Sequence, residues 1–244
     1  MREATSRYPS VLTRQRRMPH PEGHLPHGRK FGAPGRVCIS SICMAGEELH
    51  QVGAAGVRRA KRWLEATTRV ETCWTNEDQA VVARLTYDWP HGGQSASFDL
   101  GGILSGGDLH QQAFMAEVKK YADAGNQGEH YDRYLAGCYV NLQQKSALAD
   151  HFMWITWAPF RRGTWADHCK PAAVEKALLV PKNAERVFGT DKPEEAQPLI
   201  DGAIVDAVAA RLWLIVLSDK QETLVISAED RALVMRERSL KEYG

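Results

Sequence analysis

The stretch SASFDLGGILSGGDLHQQAFMAEVKKY, Ser95 to Tyr121, decides how the chain is read. It reads as two strands of one sheet, each carrying acidic residues where apolar ones are expected. Alternation along Ala96, Phe98 and Leu100 sets Asp99 on the opposite face. Phe114, Ala116 and Val118 likewise leave Met115, Glu117 and Lys119 together on the other face. Side chains two apart on a strand lie roughly 7 Å from each other, and paired strands about 5 Å. Pairing of the two strands therefore brings Asp99, Glu117 and Lys119 into one patch. Two carboxylates and an ammonium at that range suit a hard divalent cation and a bound water. Without a cation the carboxylates repel, and Lys119 offsets only part of that.

An acid followed by a hairpin-sized gap and then Glu117-Val118-Lys119 resembles the PD-(D/E)xK nuclease superfamily. Phe98 stands where the naming proline would be. Shortly after the lysine, Gln127 and Tyr131 supply Gln-xxx-Tyr at the start of an expected helix, which resembles the RecB-type branch. The resemblance implies an α/β fold with a restriction-endonuclease-like mixed β-sheet core flanked by helices. It implies Mg²⁺, replaceable by Mn²⁺, held by Asp99, Glu117 and the Val118 carbonyl, with Lys119 catalytic. Gln127 and Tyr131 would contact the strand or order the site. A helix before the sheet often adds an acid, so Glu48 is a further candidate, preferred over Glu47; an ordinary first-turn acid complementing the helix dipole is the competing reading. The implied function is metal-dependent hydrolysis of DNA by an endonuclease, in a restriction or anti-phage setting. The competing readings are a ribonuclease with the same site, a non-catalytic module that binds nucleic acid or a partner, and a hydrated strand with no chemistry. A partner subunit or a homodimer is compatible with each.

The 244 residues are 43% hydrophobic and 25% charged, ordinary for a globular protein and long enough for a sizeable core. The net charge of +1 is unevenly divided. Residues 1–36 carry eight basic side chains against Glu3 and Glu22, which leaves −5 for the rest. With five prolines, this segment and its continuation to residue 43 read as a disordered basic arm, able to hold phosphates non-specifically or to be dispensable. The domain then spans 44–244. No apolar run approaches the length of a membrane span. Five cysteines, odd in number and without zinc-type spacing, fit reduced thiols in a cytoplasmic protein.

Periodicity predicts a helix over 46–67, with Arg58, Arg59, Lys61 and Arg62 outside its apolar stripe. Val81 to Trp89 reads as a strand, turning at 91–94 into the Asp99 strand, with Gly101 and Gly102 permitting a bulge beside the acid. A helix follows over 126–144, then a buried strand from His151. Arg161 and Arg162 beside Trp157 and Trp165 form a candidate phosphate- and base-contacting rim, and Thr164 with Asp167 a capping box. Residues 181–198 read as a polar excursion, 200–210 as a helix, 211–218 as a strand, 222–227 as a last short strand, and a charged helix closes the chain. A mixed sheet of five or six strands is the expected core.

Overall fold

The central strand, β5 (Ala113–Lys119), carries the Glu-x-Lys triplet, and the chain is built outward from it. The structure is a computed structural model. It describes the backbone of residues 40–120, 125–145 and 149–243, and the side chains of 53–120, 125–144 and 149–241. β4 (Leu100–Leu104) pairs antiparallel with β5, and β1 (Val70–Thr75) antiparallel with β4. On the other side β6 (His151–Thr156) and β7 (Leu212–Val216) pair parallel, giving a five-stranded mixed sheet in the order β1-β4-β5-β6-β7. Helix α1 (Ser40–Ala66) precedes the sheet, and α3 (Gln127–Lys145) joins β5 to β6. The protein is thus an α/β protein with a five-stranded mixed sheet flanked by helices.

Each sheet face makes its own core, as the alternation on β5 requires. Phe114, Ala116 and Val118 bury against Ala60 and Leu64 of α1, together with Met153 and Ile155 of β6. Met115, Phe152 and Trp154 face Tyr131, Tyr134, Leu135 and Cys138 of α3. Behind α3 lie α4 (Pro171–Leu178), α5 (Pro181–Phe188), α6 (Pro193–Ala196) and α7 (Gly202–Arg211). The burial of large apolar side chains, about 1.5–3 kcal/mol each, holds α3 to the sheet.

Several expectations are corrected. Val81–Trp89 is not one strand: a turn of helix, α2 (Val82–Leu85), precedes β2 (Thr86–Asp88), which pairs only with β3 (Ser95–Ser97) in a separate hairpin. The expected continuous strand through Asp99 is broken. Phe98 donates its N–H to the Leu85 carbonyl and faces the α3 core, while Leu100 faces the α1 core, so the two do not share a face. Gly101 and Gly102 make no bulge but lie in regular register with β1 and β5. Their missing Cβ atoms admit Leu85, Trp74 and Phe114 instead. The prolines in 181–198 do not mark an excursion. Pro181 and Pro193 occupy first helical positions, where a missing N–H costs nothing, and Ala184, Val187 and Ala196 are buried. No capping box forms at Thr164, because the helix begins only at Pro171. The last strand is absent too: Gln221–Leu224 is a 3₁₀ turn, pinned by Glu222.

The closing helix, α8 (Ala228–Tyr243), is present. The expectation for the basic arm falls largely on residues 1–39, outside the described ones; from Ser40 the backbone is already helical. No helix among the described residues is long and apolar enough to cross a membrane.

Candidate active site

Asp99 sits where the chain leaves the small hairpin and enters β4, one residue before the ladder begins. Its backbone carbonyl accepts the Asn76 N–H at 3.2 Å, and its carboxylate Oδ2 accepts the Val118 N–H at 2.8 Å. The second bond places the carboxylate against β5 beside Glu117 and Lys119. Lys119 Nζ lies 2.6 Å from Glu117 Oε1 and 4.0 Å from Asp99 Oδ2. The side chains of Asp99, Glu117 and Lys119 are 22%, 20% and 18% exposed. The three therefore meet, sheltered yet open to solvent. In a strand the N–H and C=O of one residue face the same neighbour. The Val118 carbonyl accordingly faces the side on which Asp99 lies.

Position in the fold suits a ligand as well. Lys119 and Thr156 end two parallel strands on the same side, and α3 begins there. The crevice beyond the carboxyl ends of parallel strands is where open α/β sheets take ligands. The start of α3 adds the partial positive charge of a helix N-terminus to it.

The electrostatics are those of a site short of positive charge. The Asp99 carboxyl is pushed up to about 7, first by burial and then by the Glu117 carboxylate; Lys119 and the Val118 N–H oppose the shift without cancelling it. A divalent cation would relieve that repulsion. The donors on offer, two carboxylates and a peptide carbonyl, are all oxygen and fit Mg²⁺ or Mn²⁺, with waters completing the shell. Among the described residues no group of three or more His, Cys, Asp or Glu side chains exists to cage a metal with protein ligands alone. A water-retaining ion held by one or two carboxylates is the kind that would suit these donors.

The other predicted residues fall differently. Gln127 is fully buried, and its Oε1 accepts the Thr156 hydroxyl at 2.8 Å. Thr156 is the register partner of Lys119, so Gln127 ties the first turn of α3 to the strand end beside the lysine. Tyr131 is 1% exposed, packed against Trp154 and Phe160, with its hydroxyl donating to the His168 carbonyl at 2.9 Å. It stands in the core rather than at the site. Glu48 lies on α1 outside the described side chains. Of the basic residues on that helix, Arg59 pairs with Glu222 and Asp219, and Lys61 with Glu65.

Arg161 grips Asp132 through both terminal guanidinium nitrogens at 2.7 and 2.6 Å, so one of the two arginines of the expected rim is held in a structural ion pair. Trp157 donates to Glu222, and Trp165 stacks edge-on against Phe160 and His168.

Two residues beside the site escaped the sequence reading. Thr156 had a signal: a hydroxyl closing an otherwise apolar buried strand. His130, one turn into α3, had none beyond lying inside Gln-xxx-Tyr. Its ring is half-buried, and its pKa is lowered by burial and then by the charges of Lys119 and Arg133. No protein-family model, no curated protein and no solved structure matches the chain.

Proposed function

We propose that this protein is a metal-dependent nuclease that hydrolyses phosphodiester bonds of DNA, built on a restriction-endonuclease-like core of the PD-(D/E)xK kind. The observation that carries the reading is the convergence of Asp99, Glu117 and Lys119 on the Val118 edge of β5. Charged side chains on β5 and at the entrance to β4 would ordinarily point to water; here the three share one sheltered patch. Asp99, Glu117 and the Val118 carbonyl would hold Mg²⁺ or Mn²⁺. When bound, the ion supplies charge stabilisation to the attacking and leaving oxygens of the phosphodiester. Lys119 orients the attacking water or the scissile phosphate through its ammonium. Gln127, through Thr156, keeps the end of β5 and the start of α3 in register. An endonuclease of restriction or anti-phage defence in the cytoplasm is the setting that fits this site best.

The test is digestion of supercoiled plasmid with Mg²⁺ or Mn²⁺, beside a matched RNA. The wild type is expected to cut the plasmid, EDTA to stop it, and Lys119→Ala to slow it by about 10²–10³-fold while remaining folded by circular dichroism. Cleavage of RNA alone would make the protein a ribonuclease with the same site. Cutting that survives both EDTA and Lys119→Ala would end the mechanism, and no cutting of either polymer would leave a binding module.

A further inference from the structure

A groove lies along α3 and begins at His130, whose ring feels the charge of Lys119. The first turn of α3 is fastened beside Lys119 by the Gln127–Thr156 bond, and His130 follows one turn later. Beyond it a hollow of about 480 Å³ lies between α3 and α5, with His130 and Arg133 on one wall and Lys182 and Arg186 on the other. A second hollow of about 410 Å³ shares Arg133 and Arg186 and reaches the β2–β3 hairpin at Trp89 and His91. Because two guanidiniums line both, the hollows adjoin and run from His130 to the hairpin.

The cations along this path are unlike those that ion pairs hold elsewhere. Arg59, Lys61 and Arg161 spend their charge on carboxylates. Arg133, Lys182 and Arg186 form no ion pair among the described residues. Arg186 is pre-positioned, its guanidinium 5.7 Å from the centre of the Trp89 ring, and its carbonyl accepts the His91 N–H at 2.9 Å. Such stacking orients a guanidinium fork without consuming its N–H donors. Glu129, Glu185 and Asp132, the last paired with Arg161, also line the path, which keeps its net charge low. A ligand would therefore be held by discrete contacts to its own charges rather than by a broad field. A chain of phosphates at regular spacing meets that requirement.

We propose that this groove is the path of one nucleic-acid strand, with Arg133 and Arg186 each holding a backbone phosphate on the same side of the one at Lys119. The assignment of the reacting phosphate rests on the nuclease reading; strand binding is measurable apart from it. The experiment is fluorescence anisotropy with a 5′-fluorescein 20-mer oligodeoxynucleotide in EDTA, across a salt series, using the full chain. Arg133→Ala/Arg186→Ala is expected to raise Kd about tenfold and to lower the slope of log Kd against log salt by about 1.4, two phosphates' worth for a single strand. Arg133→Glu alone, at an exposed position, should weaken binding too, which guards against misfolding of the double variant. Arg236→Ala on α8 should bind as wild type.

An unchanged Kd and salt slope in both groove variants would overturn the path even if the wild type cuts DNA. Loss of binding in those variants, with a wild type that never cuts, would uphold the path and reject the nuclease reading.

Discussion

At the scale of single residues, the Asp99 carboxyl reports the site most sensitively. Its pKa stands at about 7 in the fold against an ordinary 3.8, so the folded protein holds this proton more tightly than the unfolded chain does. The sign follows by linkage: the favourable contribution is complete below about pH 4 and is lost as pH rises to about 7. Asp99→Asn keeps an oxygen to accept the Val118 N–H while removing the charge. In metal-free buffer it should therefore raise Tm at pH 8 by about 2 °C or more relative to wild type, with a clearly smaller difference at pH 5. Scanning calorimetry at the two pH values checks this; an equal shift at both would mean that the carboxylate is not under the strain described. Asp99 was legible in sequence because a charge interrupted an apolar alternation, and Glu117 and Lys119 because they shared one face of a strand.

At the scale of elements, the reading of β5 and α3 held because each has a strong period and a buried face. Other segments misread for physical reasons. Ala96, Phe98 and Leu100 alternate by composition, yet the chain bends at Asp99 and sends Phe98 and Leu100 into different cores. No period along one strand encodes such a change of sheet. The prolines of 181–198 looked like breakers and proved to be helix starters. Gly101 and Gly102 looked like hinges and are packing residues instead. A Cβ on Gly102 would press on the Thr72 carbonyl and come within 2.5 Å of the Phe114 ring, whereas one on Gly163 would meet nothing within 4 Å. Gly102→Ala should accordingly cost about 1–3 kcal/mol in urea unfolding, and Gly163→Ala almost nothing. A tolerated Gly102→Ala would contradict the register drawn between β1, β4 and β5.

At the scale of the whole molecule, the site is framed by parts far apart in sequence. Arg59 of α1 binds Glu222 and Asp219 from the segment after β7, and Trp157, just past β6, donates to the same Glu222. These bonds gather α1 and the chain beyond β7 around the end of β6, whose Thr156 is the register partner of Lys119. Little of this was legible, since an ion pair between residues 163 positions apart leaves no local pattern. The division of charge was legible: with −5 outside the first 36 residues, any affinity of that part for a polyanion would have to come from a few placed cations or a bound metal.

The central claim is that Asp99 and Glu117 together hold a divalent ion, and calorimetric titration of Mn²⁺ into the purified protein tests it most directly. One site per chain is expected in the wild type, weakened by at least about tenfold in both Asp99→Asn and Glu117→Gln. Absence of binding in the wild type, or binding that neither substitution alters, would contradict it.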